Sequence, residues 1–316
     1  MAQHKILVSD GLSEAGINLL KTVGEVTLSP KITATELLAA LPEYHALVVR
    51  SRTKVTALVI AAGVRLRVVG RAGVGVDNID VAAAVARGIT VVNSPLAASV
   101  AVAELTLGLM LALARQIVAA DASLKQDRWE KSTFIGSELA GKTLGLIGLG
   151  RIGAEVARRA IAFGMPLVAY DPYLSDEHIR ERGARPASFD GVLAGSDYIS
   201  LHLPLTAETR GLIGLAQIAQ MKPGARLVCL ARGGVIDEEA LRAALDSGRL
   251  AGAALDVFAP EPPAPGGIAT HPKVIVTPHI GAQTAEAQTR AGLAIAEEVM
   301  AVLQGQEPRF KVLAND

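Results

Sequence analysis

The sequence of 316 residues predicts an α/β protein made of two doubly wound domains with a cleft between them. Short runs of β-branched residues alternate with segments of helical apolar spacing, and this alternation occurs twice, on either side of a long apolar helix. Strands that alternate with helices pair in parallel, because each crossover returns the chain to the same edge of the sheet. Half of the residues are apolar, so each domain can bury a core.

The first series of strands and helices extends to about Ser94. The predicted strands are KILVS, HALVVR, LRVVGRA and ITVVNS, and the predicted helices between them include SEAGINLLKTV, TATELLAAL and NIDVAAAVARG. A final helix, from Thr284 to about Leu303, is long enough to return to this series. We therefore expect residues 1–98 and 284–316 to form a smaller, flavodoxin-like domain.

A long helix is predicted from about Ser99 to Gln126, apolar on nearly all sides as far as Leu113. Such a helix is buried by its own protein or by a second subunit. Its longest apolar block, LTLGLMLALA, is about half the length that a bilayer span needs. A second alternating series runs from KTLGLIGLGRIG to about Pro278, so residues 99–283 are predicted to form the second domain.

Charge and cysteine content exclude several classes of partner. Basic and acidic residues are equal at 31 each, so the chain has no net positive charge that would attract nucleic acid or an anionic membrane. The single cysteine, Cys229, excludes an internal disulfide and a cysteine-based zinc cluster and favours a reducing compartment. The opening MAQHKILVSDG has neither an apolar core nor a cleavage site of a signal peptide. We expect a soluble, cytoplasmic protein without a metal.

The most informative motif is a G-x-G-x-x-G sequence that follows an apolar strand and opens a helix. Its residues are Gly148, Leu149, Gly150, Arg151, Ile152 and Gly153. The first glycine permits a tight turn, the second lets the backbone approach a pyrophosphate, and the third lets the helix pack on the strand, while the helix N-terminus supplies N–H donors. The motif predicts a Rossmann domain that binds a dinucleotide.

The acid that follows the next strand indicates which dinucleotide. Asp171 lies about 20 residues beyond the first glycine, where a carboxylate can accept from the adenosine ribose hydroxyls and would repel a 2′-phosphate. No Arg or Lys follows it in DPYLSDE. The sequence therefore predicts NAD rather than NADP as the cofactor.

Three ionisable residues follow consecutive predicted strands of this domain. Arg232 ends the strand that begins ARLVCLA, Glu261 lies in the exit loop of the strand in AGAALDVFAPEP, and His279 follows KVIVTP. The carboxyl ends of parallel strands share one edge of the sheet, where open α/β sheets bind ligands. An imidazole can move a proton during hydride transfer, a glutamate can orient that imidazole, and an arginine can hold a carboxylate as a fork. The three residues predict a dehydrogenase of a 2-hydroxy or 2-keto acid.

Ordered motifs over nearly the whole chain resemble the D-isomer-specific 2-hydroxyacid dehydrogenase family, and within it a phosphoglycerate dehydrogenase branch in a short form without a regulatory C-terminal domain. They include GRAGVGVDNIDVAAA, GKTLGLIGLGRIG, HLPLTAETRGLIG, ARGGVIDEEAL, ALDVFAPEPP and TPHIGAQT. The resemblance implies that Arg232, Glu261 and His279 are catalytic, with His279 as the acid and base. It also implies a homodimer formed through the helix that begins near Ser99.

The same resemblance implies further contacts with cofactor and substrate. Asp256 matches a position near the nicotinamide carboxamide, and an equally weighted alternative is a buried structural acid. His202 and Pro204 match a stretch that lines the adenine and ribose, although a structural role is favoured for His202. The loop from Ala72 to Val76 is expected to offer backbone N–H groups to the substrate carboxylate, and its residues are Ala72, Gly73, Val74, Gly75 and Val76.

The expected distal pocket resembles the family only in part. The run Arg50, Ser51, Arg52 and the later Gln288 match it, and Arg52 favours an anionic distal group, with a surface arginine as its alternative. The family usually has Asn where this chain has Ala98, and commonly has Asn where it has Cys229. Ala98 removes one polar contact to the substrate, a loss of ~1.5 to 3 kcal/mol that is enough to change substrate preference. Cys229 is expected to change the hydrogen bonding near the cofactor.

Several functions stay open at this stage. The leading hypothesis is NAD-dependent, reversible dehydrogenation of a D-2-hydroxy acid, with 3-phosphoglycerate as the first candidate. A reductase of glyoxylate or hydroxypyruvate, or a dehydrogenase of a sulfonated or dicarboxylic analogue, would share the catalytic residues. Formate dehydrogenases resemble the chain less, because they have glutamine where Glu261 stands. A non-enzymatic NAD-sensing corepressor uses the same fold, but the intact catalytic set and the absence of long interaction tails disfavour it.

Overall fold

The computed structural model describes residues 4–313, so residues 1–3 and 314–316 of the first predicted domain lie outside the described part. The strands within it are β1 (His4–Val8), β2 (Gly24–Leu28), β3 (Ala46–Val49), β4 (Val68–Arg71), β5 (Thr90–Asn93), β6 (Leu144–Ile147), β7 (Leu167–Tyr170), β8 (Arg185–Pro186), β9 (Tyr198–Leu201), β10 (Ala225–Cys229), β11 (Leu250–Leu255), β12 (Val274–Val276) and β13 (Lys311–Val312). The helices are α1 (Glu14–Leu20), α2 (Ala34–Ala40), α3 (Ala57–Ala62), α4 (Val81–Ala86), α5 (Ser99–Arg115), α6 (Ile117–Leu124), α7 (Arg151–Ala162), α8 (Asp176–Glu181), α9 (Phe189–Gly195), α10 (Leu215–Gln220), α11 (Glu238–Asp246) and α12 (Ala285–Leu303). Short 3₁₀ turns occur at Leu41–Glu43, Lys131–Thr133 and Ile268–Thr270.

The chain divides into two compact units. The first consists of Met1–Ala98 with Ala282–Asp316, and the second of Ser99–Gly281. Each unit has its own sheet, in which parallel pairing dominates, and its own hydrophobic core. The predicted α/β class with parallel sheets is therefore confirmed.

The first unit is a three-layer sandwich around a sheet with strand order β13-β5-β4-β3-β1-β2, in which only the β13–β5 pair is antiparallel. Alternate residues of each strand face opposite sides, so Leu7 packs in one core while Ile6 and Val8 pack in another with Ile295 of α12. Helix α12 crosses α1 closely, since a Cβ on Gly16 would lie 2.4 Å from the carbonyl oxygen of Gly292.

The second unit has an all-parallel sheet with strand order β12-β11-β10-β9-β6-β7-β8. The strand order reverses between β6 and β9, which creates a topological switch point at the carboxyl end of these two strands. β10 ends at Cys229, where its pairing with both neighbours stops, so the predicted strand is three residues too long and Arg232 lies in the loop beyond it. The loop residues Leu230 and Ala231 are still buried.

The prediction of one helix from Ser99 to Gln126 is wrong. The chain forms α5 and α6, which are bent by 64° at Gln116, a residue with a left-handed φ of 52°. The physical reason is a competing hydrogen bond, because Ser137 N–H donates to Ala114 O at 2.8 Å, an acceptor that a continuing helix would use. The Gln116 side chain secures the break by donating to Ile135 O at 3.0 Å. These contacts come from a segment some twenty residues further along the chain.

No single helix in residues 4–313 has both the length and the apolar character of a membrane span, although the bent pair of α5 and α6 meets both criteria when taken together.

Candidate active site

The carboxyl edge of the second unit's sheet collects the residues that the sequence singled out. The glycine motif follows β6, Asp171 follows β7, and His202 follows β9. Arg232, Glu261 and His279 follow β10, β11 and β12, which are neighbours in the sheet. Parallel pairing along all seven strands brings these six loops to one edge.

The three glycines of the loop have different surroundings, and only two of them are required by contacts within the protein. Gly148 has a φ of 87°, and a Cβ there would lie 2.4 Å from His202 O. A Cβ on Gly153 would lie 2.3 Å from Gly148 O, so these two glycines are required by the fold itself. Gly150, which caps α7, has nothing within 4 Å of its Cβ position. Only a ligand would make a side chain at Gly150 unacceptable.

Helix α7 begins at this open glycine, and its first residues are Arg151 and Ile152. The first N–H groups of an α-helix have no partner inside the helix and favour an anion. No side chain caps this N-terminus. The open space at Gly150 together with the helix N-terminus fits the pyrophosphate of a dinucleotide.

Asp171 lies beside the glycine loop and is already oriented by two backbone groups. Its Oδ2 accepts from Leu149 N–H at 2.8 Å, and its Oδ1 accepts from Tyr173 N–H at 3.0 Å. An ionised carboxylate has about four lone-pair positions, so these bonds leave capacity for ribose hydroxyls. The Arg182 guanidinium, which the sequence analysis did not single out, donates to Leu149 O from the other side of the same loop.

His202 and Pro204 lie after β9, next to the glycine loop. Burial lowers the pKa of His202 to about 4, and its Nε2 lies 2.9 Å from Ser200 Oγ. The imidazole is therefore neutral near neutral pH, and its backbone anchors β9 to β6 by donating to Ile147 O at 2.8 Å. Pro204 is exposed, and its carbonyl accepts from Thr209 Oγ1 at 2.7 Å.

Arg232 sits in a loop that is tightly packed against the next strand's exit. A Cβ on Gly233 would lie 1.8 Å from Phe258 O, so a glycine is required directly after the arginine. The Arg232 guanidinium donates to Ala231 O at 2.7 Å. Beneath it, the buried thiol of Cys229 points at Arg232 O at 3.9 Å, and burial raises the pKa of this thiol to about 11. Cys229 is therefore a neutral packing group that supports the loop.

Glu261 and His279 form a pair. His279 Nδ1 lies 2.8 Å from Glu261 Oε2, and the other carboxylate oxygen, Oε1, accepts from Phe258 N–H at 3.2 Å. Because a carboxylate accepts, Nδ1 is the ring nitrogen that carries the proton, which leaves Nε2 for a ligand. Both side chains are more than one third exposed, so the pair is accessible.

Asp256 holds the loop that presents His279. Its carboxylate is 1% exposed and accepts from Thr277 Oγ1 at 2.5 Å, Ile280 N–H at 2.8 Å and Gly281 N–H at 2.8 Å. These donors flank His279, whose φ of 52° is unfavourable for a residue with a side chain. The contacts support the structural alternative for Asp256, as an internal brace for the loop of the histidine.

The loop from Ala72 to Val76 belongs to the first unit, and only part of it is open to a ligand. Ala72 N–H donates to Val49 O at 2.9 Å, and Gly73 N–H donates to Arg71 O at 2.8 Å. Among residues 4–313, the N–H groups of Val74, Gly75 and Val76 have no acceptor. Any backbone contact to a substrate carboxylate therefore falls on these three residues.

Arg52 and Gln288 both have protein partners. Arg52 is ion-paired with Asp10 at 2.9 Å and donates to the carbonyls of Ile32 and Ser9. The Gln288 amide donates to Ala282 O at 2.9 Å within the N-terminal segment of α12. Within residues 4–313, no hydrogen bond joins these two side chains.

Two further arginines of the first unit lie near these residues in the sequence: Arg50, which the resemblance already included in the run with Ser51 and Arg52, and Arg71, which it did not include. Arg50 is partly buried, and the removal of water lowers the pKa of its guanidinium, although Asp10 opposes this effect. Arg71 ends β4, donates to Asn78 Oδ1 at 3.3 Å, and places Nη1 2.2 Å from the Cβ position of Gly73. The sequence contained a pattern that could have identified Arg71, because this arginine follows an apolar run and precedes glycines, as Arg232 does.

No cluster of three or more His, Cys, Asp or Glu side chains within residues 4–313 is arranged to hold a metal ion.

The part of the chain that carries this site matches a known protein family. Residues 107–281 match the model described as D-isomer specific 2-hydroxyacid dehydrogenase, NAD binding domain. The chain belongs to the D-isomer-specific 2-hydroxyacid dehydrogenase family. The matched range contains the glycine motif, Asp171 and the three ionisable residues Arg232, Glu261 and His279. The predicted family and the predicted NAD-binding domain are both confirmed.

Individual members of the family are similar over most of this chain. D-3-phosphoglycerate dehydrogenase of Methanocaldococcus jannaschii is 52% identical over 96% of this chain, and that of Synechocystis is 47% identical over 98%. The chain spans 58% and 56% of the lengths of these two relatives. A solved glyoxylate reductase from Paecilomyes thermophila is 32% identical, with a TM-score of 0.90 and full coverage of both chains.

Proposed function

We propose that the chain is an NAD-dependent dehydrogenase of a small D-2-hydroxy acid, with 3-phosphoglycerate as its preferred substrate. The observation that carries this proposal is the accessible His279–Glu261 pair, joined at 2.8 Å on the sheet edge that also carries the glycine loop. The names of the relatives from M. jannaschii and Synechocystis support the substrate, and the intact catalytic set supports an enzyme rather than a corepressor.

The proposed mechanism follows from the proton positions. His279 Nε2 takes the hydroxyl proton of the substrate when the hydroxy acid is oxidised, and returns it when the keto acid is reduced. Glu261 accepts from Nδ1–H, which orients the ring and stabilises the imidazolium that forms. Arg232 holds the substrate carboxylate as a fork and polarises the adjacent carbonyl. A dinucleotide held by the glycine loop and Asp171 would provide the hydride donor or acceptor for this proton transfer.

The Gly150 position tests the cofactor part of the proposal. Gly150→Ala adds a methyl group that meets no protein atom within 4 Å, so the variant is expected to keep its melting temperature. It is also expected to weaken NADH binding by ~10-fold or more, because the methyl group occupies the space of the pyrophosphate. Gly153→Ala is the contrasting control, since its Cβ would lie 2.3 Å from Gly148 O and should lower the melting temperature itself. Unchanged NADH affinity in Gly150→Ala would contradict the assignment.

The first unit is proposed to bind the rest of the substrate. Val74 and Gly75 have N–H groups without internal acceptors, and Arg50 carries a guanidinium that is partly removed from water. A desolvated cation gains more from an anion than a fully hydrated one does. Arg50 is therefore a better candidate than Arg52 for the distal anion, because Arg52 already has Asp10 and two carbonyls as partners.

Replacing these two arginines separates their roles. Arg50→Gln is expected to raise KM for a phosphorylated keto acid by ~10-fold or more, with a smaller effect on glyoxylate, which has no distal group. Arg52→Gln is expected to lower stability, because it leaves the buried Asp10 carboxylate without its ion pair. If Arg52→Gln alone changed the preference between the two acids, the assignment to Arg50 would be wrong.

A cytoplasmic homodimer is the proposed assembly. Apolar side chains of α5, α6 and the following segment are exposed, namely Val100, Ile117, Val118, Leu124 and Trp129. Exposed apolar side chains of this size on two successive helices support the proposed subunit interface. Light scattering on the purified protein tests this assembly, and a monomer at micromolar concentration would contradict it.

A further inference from the structure

We propose that Arg182 is a second nucleotide-specificity residue, which acts against Asp171 and gives this site a latent capacity for a 2′-phosphorylated dinucleotide. The inference rests on the proposed cofactor position at the glycine loop. It concerns a residue that lies outside the glycine motif and outside the DPYLSDE segment after β7.

One peptide segment of the glycine loop is held by groups of opposite charge. Leu149 N–H donates to Asp171 Oδ2 at 2.8 Å, and Leu149 O accepts from Arg182 Nη1. The acid follows β7 and the arginine is the C-cap of α8, so the turn of this βα unit brings both to the same loop. A guanidinium therefore lies next to the position where Asp171 is expected to meet the adenosine ribose.

Arg182 retains most of its binding capacity. A guanidinium has five N–H donors. Within residues 4–313 its one hydrogen-bond acceptor is Leu149 O, and no carboxylate lies within 4 Å of it. Arg180, two residues earlier on the exposed surface of α8, is by contrast paired with Asp176 at 3.2 Å. Of these two arginines, only Arg182 combines contact with the glycine loop and freedom from a competing acid.

The two charges have opposite effects on a 2′-phosphate. Asp171 repels it and accepts from the unmodified ribose hydroxyl, so the wild-type protein is expected to prefer NAD. An arginine beside the ribose is the group that accommodates a 2′-phosphate, because its fork matches phosphate oxygens. Removing the charge of Asp171 should therefore reveal binding of NADPH that depends on Arg182. The absence of a cation directly after Asp171 in the sequence does not make the site free of cations.

The test is a set of binding measurements without substrate, in which dissociation constants for NADH and NADPH are obtained from nicotinamide fluorescence. The variants are Asp171→Asn, Arg182→Gln, their combination, and Asp171→Asn with Arg180→Gln as the matched control. Asp171→Asn is expected to shift the NADPH to NADH affinity ratio towards NADPH. Adding Arg182→Gln should reverse this shift by ~10-fold or more, the effect of losing one charge-assisted phosphate contact. Adding Arg180→Gln should leave the ratio unchanged.

The affinity ratio cancels any loosening of the glycine loop that affects both cofactors equally. Arg182→Lys in the Asp171→Asn background keeps a cation and is expected to keep most of the shift. If the Asp171 variants do not fold, wild type and Arg182→Gln are compared by calorimetry with AMP and adenosine 2′,5′-bisphosphate, and only the bisphosphate should lose affinity. An equal ratio with and without Arg182 overturns the inference. If the wild-type protein does not bind NADH, the proposed cofactor site is refuted instead.

Discussion

Asp256 provides a sharp test of how the active-site histidine is held. The sequence left two roles for this acid, a contact with the nicotinamide carboxamide or a buried structural position. Its carboxylate, 1% exposed, accepts three hydrogen bonds from the residues that flank His279. Asp256→Asn replaces one carboxylate oxygen with an NH₂ group, which must face at least one of these donors.

The expected size of the effect follows from those contacts. Losing one hydrogen bond to a buried charged group costs ~1.5 to 3 kcal/mol. The three bonds together offset the ~1 to 3 kcal/mol that it costs to hold His279 at a φ of 52°, so the loss of one bond favours release of the loop. A loss of ~3 kcal/mol lowers the population of the competent loop by ~10²-fold. We therefore expect kcat to fall by ~10²-fold in Asp256→Asn and the melting temperature to decrease.

The assay separates this role from a cofactor contact. Steady-state kinetics give kcat, and fluorescence titration gives the dissociation constant of NADH. Asp197→Asn is the matched control, because Asp197 also accepts from a backbone N–H and a cation, at 2.8 and 3.0 Å, but precedes β9 at the opposite edge of the sheet. That control should lose stability and keep kcat. If Asp256→Asn weakens NADH binding as much as it lowers kcat, the bracing role is refuted and the nicotinamide contact is favoured.

Two further predictions concern histidines with opposite roles. His279→Ala should lower kcat by ~10²-fold or more with NADH affinity nearly unchanged, and retained turnover would remove it from proton transfer. Burial lowers the pKa of His202 from 6.5 to about 4, so the unfolded chain binds more protons in that window and stability falls as the pH falls through it, by up to ~1.4 kcal/mol per pH unit. His202→Asn should therefore lose less stability than wild type between about pH 6.5 and pH 4 in urea unfolding, and equal losses would contradict the shifted pKa.

Sequence patterns predicted the parallel sheets and the edge that carries the site. Strand periodicity and a following glycine or turn mark each strand exit, and parallel pairing then brings Arg232, Glu261 and His279 to one edge regardless of the details of the loops. The family was identified separately, from the resemblance of the ordered motifs to those of its members. These features depend on local sequence and on a general topological rule.

Features that depend on tertiary hydrogen bonds could not be predicted. The break at Gln116 requires Ser137 to reach Ala114 O, and the internal role of Arg52 requires Asp10, a residue in a different loop. β2 was absent from the predicted strands because GEVTL has weak alternation, and its place at the sheet edge comes from pairing with β1. Arg182 reaches Leu149 only because β6 and β7 pair in parallel, which brings the loop after β6 next to the segment that follows β7.

The most direct test of the proposed activity is a panel of 2-keto acids with NADH, followed by the loss of NADH absorbance. The panel contains 3-phosphohydroxypyruvate, hydroxypyruvate, glyoxylate, and a sulfonated and a dicarboxylic analogue, and NADH binding is measured in parallel. We expect 3-phosphohydroxypyruvate to have the highest kcat/KM, with weaker reduction of the acids that lack a distal anion. Reduction of none of these acids by protein that still binds NADH would contradict the proposed dehydrogenase.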